Sequence, residues 1–399
     1  MTFYASPAFF VALVALIVPA AALGLSGRPI KRYGMAASAV MLALLFSGSA
    51  AQLVAFLAFV LVSTAAMRLT LRSWRGGEGS VALYRACLAA TLAPLVAYKL
   101  ASGAGSGVAD LVGFAGISYV TFRAVQVLIE IKDGLITELT VGDYLYFLTF
   151  FATITSGPID RSRRFLADAN APLGRDEYAD LLSRGVLLVL LGAVGQLVIA
   201  TIALRYYQPD RPLVSAGLAY GVARQVANAY LYGIYLFFDF AGYSLMAMGV
   251  SYCLGIRCPR NFDAPYRAVD LKDFWNRWHI TLSTWLRDFV FMRLVRSLTR
   301  RKLLSSRLQR ACAGYVVNML VMGAWHGLTA DYLLYGLYHG VLLAGLEVWQ
   351  KKSAFYRRNH QRRWYRACSW FVTMQLVIIG FAIFSGQLSS IVGRIVNGL

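Results

Sequence analysis

The chain has 399 residues, 58% of them hydrophobic and 15% charged, with 39 Lys and Arg against 19 Asp and Glu. Soluble domains are about 45–50% apolar and about 25% charged, so a cytosolic globular protein and a disordered chain are both poor descriptions of it. A net charge of +20 would suggest nucleic acid on a soluble protein; beside long apolar runs it marks the cytoplasmic side of a membrane protein.

No Lys or Arg precedes the first apolar run, Phe9 to Leu25, so the basic flank of a cleavable signal peptide is missing. The run reads as a first transmembrane helix. Further runs of spanning length lie near 34–49, 51–71, 82–100, 109–131, 182–206, 213–236, 309–327, 331–350 and 366–386. A helix needs about 20 apolar residues to cross the hydrocarbon core. The pattern predicts an all-α polytopic membrane protein of roughly 10–11 transmembrane helices with re-entrant and interfacial pieces. We expect a single integral-membrane domain: spans over 1–108, a core over 109–350, and a basic loop and last span over 351–399.

Basic residues set the sides. Segment 257–310 has 13 Lys and Arg against 4 Asp and Glu, and 351–366 has 7 and no acid. Both are expected in the cytoplasm, with Arg28–Arg32 and Arg68–Arg75, and the N-terminus outside. A full crossing by 141–158 would put Arg161, Arg163 and Arg164 outside, so that stretch is expected to be re-entrant. Segment 213–256 is long enough for two crossings but must make one, so 237–256 is also expected to be re-entrant or partial. Such pieces are tolerated only where protein or water covers the backbone, which points to an internal cavity.

The five cysteines (Cys87, Cys253, Cys258, Cys312 and Cys368) form no Cys-x-x-Cys pair. Neither a disulfide framework nor a zinc site is expected. Two of the four histidines keep unusual company. His279 sits in Asp273-Phe274-Trp275-Asn276-Arg277-Trp278-His279, followed by Ser283, Trp285 and Asp288. This is an amphipathic helix pattern; by itself it fits an aromatic anchor at headgroup level as well as a site. His326, in Gly323-Ala324-Trp325-His326-Gly327, ends one apolar run just before another. An ionisable group at membrane depth is a functional candidate, although a neutral histidine bonded to a neighbouring helix fits too. His339 reads as structural and His360 as solvated. Acyl transfer from a thioester to a hydroxyl suits this set, because it needs a base near pH 7 and no metal. The oxyanion would need donors, for which Asn276, Trp325 and Ser283 are candidates.

The runs Phe238-Asp239-Phe240-Ala241-Gly242-Tyr243-Ser244, Asn261-Phe262-Asp263-Ala264-Pro265-Tyr266, Asp273 to His279, Ser283-Thr284-Trp285-Leu286-Arg287-Asp288 and Trp325-His326-Gly327 resemble the membrane-bound O-acyltransferase (MBOAT) family in order and spacing. Gly116-Ile117-Ser118-Tyr119-Val120-Thr121-Phe122 is a weaker match. Ser156-Gly157-Pro158-Ile159-Asp160-Arg161 resembles the D-alanyl-transfer branch, with Ser162 where a tyrosine is common. After Asp288 the chain lacks the Pro-Leu-Gly-Gly run of the polysaccharide acetylases.

The resemblance implies helices around a central pore, with His326 the base of a funnel open to the outside and His279 a second histidine on the cytoplasmic side. Asn276, Trp325, Ser283 and Asp288 would support them. It implies no tightly bound cofactor. The donor would be D-alanyl-phosphopantetheine on an acidic, DltC-like carrier protein, docked against Lys272, Met292, Val295 and Arg307. A DltD-like membrane partner would help deliver D-alanine to lipoteichoic acid or a similar envelope polymer. A phosphopantetheine arm of about 18–20 Å is shorter than the roughly 30 Å hydrocarbon core, so the enzyme's centre must be thinned. Two other readings stand: an O-acetyltransferase of the same family, and a transporter without bond chemistry.

Overall fold

Apolar runs become helices where a hydroxyl can take the first free N–H groups. In the computed structural model, which describes residues 3–208 and 218–396, Ser6, Ser49 and Ser80 do this. They accept from Phe9, Gln52 and Leu83 and open α1 (Pro7–Leu25), α3 (Ala50–Trp74) and α4 (Val81–Gly103), with α2 at Lys31–Phe46. The short α5 (Val108–Val112) leads to α6 (Ile117–Lys132), α7 (Val141–Thr149), α8 (Ser162–Asn170) and α9 (Arg175–Ala193). A π-helical stretch, Val194–Ala200, runs on into α10 (Thr201–Tyr206), and α11 is Leu218–Cys253. No strand occurs among the described residues.

Six helical segments are long and apolar enough to cross a membrane: α1, α3, α4, Arg175–Tyr206, Tyr220–Cys253 and, later, Arg363–Phe384. The other expected spans are helical but fall short of that standard. α2 and α6 have 16 residues each, about 24 Å at 1.5 Å per residue. Arg307–His326 and Ala330–Lys352 are long enough, but charged, histidine and tyrosine side chains interrupt them.

The chain forms two compact units, one of residues 1–194 with 242–260, the other of 195–241 with 261–399. In the first, α7 has nine residues, about 14 Å, and cannot cross the hydrocarbon core. Its end would leave bare carbonyls. Fully buried Arg123 of α6 takes them: its guanidinium donates to Phe147 O (3.1 Å), Leu148 O (3.2 Å) and Thr153 O (2.8 Å). Arg164 similarly gathers Asp160, Asp168 (3.0 Å) and the Arg257 carbonyl. Glycines let α9 meet residues 242–249. A Cβ at Gly185 would fall within 3.0 Å of Gly249 O, and one at Gly192 within 3.0 Å of Gly242 O. That is the small-residue packing of membrane helices.

This packing corrects one expectation. Segment 237–256 is no separate re-entrant piece; it continues α11 to Cys253. Leu218 to Cys253 contains no proline, so nothing removes a backbone donor, and its 36 residues extend about 54 Å.

The second unit contains α12 (Leu271–Arg277), α13 (Ile280–Leu286), a π-helical turn at Arg287–Phe291, α14 (Met292–Arg300), α15 (Arg307–His326), α16 (Ala330–Lys352), α17 (Ala354–Asn359), α18 (Arg363–Phe384) and α19 (Gln387–Val396).

Candidate active site

His326 is the last residue of α15. Ser306 and Gln309 form a reciprocal capping box that fixes the other end of the helix. Only residues 327–329 separate α15 from α16. The two helices are pressed together at glycine: a Cβ on Gly323 would strike Tyr332 O, and one on Gly336 would strike Met319 O. His326 is thereby held against α16 and α18. Its ring stacks on Tyr332 at 6.0 Å between centroids and meets Phe384 edge-on at 4.9 Å. Tyr335 stands 6.4 Å away.

His279 occupies the bend between α12 and α13, outside the six candidate spans. Asp270 starts α12 by accepting the Asp273 N–H at 2.9 Å. His279 itself is left-handed, with φ 44° and ψ 50°, a region that costs an ordinary L-residue roughly 1–2 kcal/mol. Asn261 holds the bend on both sides. Its carbonyl accepts the Ile280 N–H at 2.8 Å and its side-chain oxygen accepts the Thr281 hydroxyl at 2.5 Å. The imidazole is 3% exposed, and Phe240 meets it edge-on at 4.6 Å. Its Nε2 has no hydrogen-bond partner among the described residues. Burial, and then the nearby His326, hold its pKa well below the ordinary imidazole range, so His279 is neutral at pH 7.

Trp325 joins the two histidines, 6.1 Å from His279 and 4.7 Å from His326 between ring centroids. Two imidazoles therefore flank one indole, the one at His279 neutral.

Beside them lies a cavity of about 260 Å³. It brings together Lys272, Asn276, Ser283 and Met292 from the sequence reading, with Tyr315 and Asn318 of α15 added. Apolar Met319, Met322 and Leu343 line it too. Lys272 is not a loose surface charge: its ammonium pairs with Glu347 and donates to Gln350 at 2.6 Å. Ser283 Oγ donates to Trp278 O at 3.2 Å. Asp288 sits on the π-helical turn, 2.9 Å from Arg287 Nε, and does not line the cavity. Val295 packs where a Cβ on Gly314 would come to 3.0 Å. Arg307 is exposed at the first turn of α15. The histidine rings, Trp325, Val295, Arg307 and Asp288 stand outside the cavity lining.

Sequence reasoning gave no role to Asn261, Tyr332, Phe384 or Asn318. Asn318 carried a signal, an amide inside the apolar run from Tyr315 to Gly323. Its Oδ1 has no hydrogen-bond partner among the described residues. His339 is fully buried, with Tyr335 at 4.7 Å and Trp275 at 5.2 Å.

Residues 43–391 match the model of the membrane-bound O-acyltransferase family. The chain is similar to the teichoic acid D-alanyltransferase of Bacillus subtilis, 37% identical over 393 residues, which cover 97% of this chain and 98% of that protein. It is 41% identical over 298 residues to the teichoic acid D-alanyltransferase of Streptococcus thermophilus, covering 72% and 71% of the two chains. A probable alginate O-acetylase of Pseudomonas syringae is 30% identical over 292 residues, 71% of this chain and 51% of that one.

Proposed function

Because the chain belongs to the membrane-bound O-acyltransferase family, we propose that this membrane O-acyltransferase passes D-alanine from a carrier-protein phosphopantetheine thioester to a hydroxyl of teichoic acid or a similar envelope polymer. The observation that carries the D-alanyl reading is end-to-end similarity to a D-alanyltransferase, against partial coverage of the acetylase.

His326 is the base in this reading. Its ring takes the hydroxyl proton as the oxygen attacks the thioester carbon. The tetrahedral oxyanion collapses, the C–S bond breaks, and the thiolate leaves with the proton returned by the imidazolium. His279, neutral, serves as a fixed polar group beside Trp325 and does not carry the proton. The cavity lined by Asn276, Ser283 and Asn318 takes the donor arm from the side of Lys272 and Met292. An acidic, DltC-like carrier docks there, with Val295 and Arg307 at the edge of its footprint. Segments 257–310 and 351–366 face the cytoplasm, the N-terminus faces outside, and a DltD-like membrane protein assists on the outer side.

The test is transfer of radiolabelled D-alanine from its carrier in membranes, wild type against His326→Ala. Loss of turnover by at least about 100-fold, the lower bound for removing a general base, with expression and carrier binding kept, is expected. Retained turnover removes His326 from the chemistry. Turnover of acetyl donors with no carrier binding moves the assignment to O-acetylation.

A further inference from the structure

Two cavities of the second unit share no lining residue with the one beside the histidines. The first, about 580 Å³, is an apolar trough in which Leu342, Leu346 and Trp349 of α16 meet Trp364, Val372 and Leu376 of α18. The second, about 510 Å³, is polar, with Gln350, His360, Gln361 and Arg366 in its wall. Each lies within the range of about 300–1,000 Å³ usual for ligand pockets. They adjoin, because Asp270, Leu346, Tyr365 and Ser369 line both.

Gly345 makes the room. Gly336 and Gly340, on the same helix, are jammed against α15, with Cβ positions that would fall within 3.0 Å of Met319 O and Val316 Cα. A Cβ on Gly345 would meet nothing within 4 Å. The side chains around the trough stay exposed: Val341 is 54% accessible, Trp364 49% and Val372 53%. Tryptophan at such a rim is typical of the membrane–water interface.

The polar chamber lies in a strongly basic segment. Arg366 lines it and pairs with no carboxylate among the described residues. Residues 351–366 add six more Lys and Arg and no acid. The one carboxylate in the walls is Asp270. Its two oxygens already accept the Asp273 N–H at 2.9 Å and the Gln350 amide at 3.1 Å. An apolar trough alone would take any lipid tail; one that opens beside seven Lys and Arg, against the single wall carboxylate of Asp270, favours a tail bearing an anionic head.

We propose that these joined cavities seat an anionic phospholipid, one acyl chain in the trough and the phosphate against Arg366. Asp270, which lines both chambers, also caps α12. The bound lipid therefore abuts the helix that leads into His279.

The test uses the purified full-length protein in detergent. Its melting temperature is followed during addition of phosphatidylglycerol, phosphatidylcholine with the same chains, or inorganic phosphate. A ligand that binds the folded state raises that temperature with concentration. Phosphatidylglycerol should raise it, and the other two should not. Gly345→Leu, which fills the trough, and Arg366→Gln should each raise the lipid concentration for half the shift by about tenfold, the equivalent of 1.4 kcal/mol. Cys368 lines the trough and is the exposed cysteine, the other four being buried or half-buried. Phosphatidylglycerol should slow its alkylation by a maleimide several-fold in the wild type, which decides the matter if Gly345→Leu does not fold. An equal shift with phosphatidylcholine, a shift with phosphate alone, a Gly345→Leu protein that responds like wild type, or unchanged alkylation would each overturn the proposal.

Discussion

His326 and His279 make opposite demands on their backbones. His326 ends a regular helix and has no positive φ, so its backbone does not restrict the choice of an ordinary helix-compatible residue. His279 stands at positive φ, where Asn is tolerated and a β-branched residue is a genuine outlier. His279→Asn should therefore keep the fold and lower transfer, whereas His279→Val should lower stability by roughly 1–2 kcal/mol, read as melting temperature in detergent. The same residue links stability to pH. Its folded pKa lies below its unfolded value, so the unfolded chain binds the extra proton. Stability should be complete above about pH 6.5 and fall as pH drops below it, by at most about 1.4 kcal/mol per unit. In His279→Asn that part of the slope should disappear; an unchanged slope assigns it elsewhere. The histidines were legible as residues, because a Trp-His pair is conspicuous in the amphipathic segment around His279 and at the end of the apolar run before His326. The bend at His279 was not, since it depends on hydrogen bonds that Asn261, 18 residues upstream, accepts from Ile280 and Thr281, and no local pattern encodes that partner.

Among the elements, α15 and α16 meet in a close glycine joint. A methyl group on Gly336 would strike the carbonyl of Met319, which cannot rotate away as a side chain could. Gly336→Ala should cost about 1–3 kcal/mol and reduce transfer by shifting His326, although residue 336 is ten positions away. Stability and turnover equal to wild type would show that the joint yields. On the other side of α15, Val295 packs beside Gly314 while Met292 is 50% exposed. Met292→Asp is thus the cleaner probe of carrier docking than Val295→Asp, which would also disturb packing. It should weaken carrier binding without changing the melting temperature. The element types were readable from the apolar runs, but their lengths were less so. The short α7 could be foreseen from the charges that follow it. The unbroken α11 could not, because the glycine contacts with α9 that stabilise it join residues far apart in sequence.

For the whole molecule, the +20 charge is a long-range feature. An acidic carrier approaching the basic loops should associate faster at low salt. The screening length falls from about 30 Å at 0.01 M to about 8 Å at 0.15 M. The carrier on-rate should fall steeply over that range while the off-rate changes little. An on-rate indifferent to salt would leave the loops as orientation signals alone. Membrane class and family were available from composition and five short runs. An internal cavity was expected, but the places and linings of the three described were not legible, since each is bounded by side chains from several elements whose approach only the packed structure defines.

The three-residue link between α15 and α16 also constrains how this protein can change length. Each residue of an α-helix turns the next by about 100°. One residue inserted between Gly323 and His326 would leave the glycine joint in place but swing the imidazole to another face of the helix. The same insertion among residues 104–107, the loop after α4, would leave His326 and its joint in place. Insertions and deletions tolerated during the protein's history should therefore gather in such loops and be absent from 316–340, a stretch in which the chain can change its letters more readily than its count.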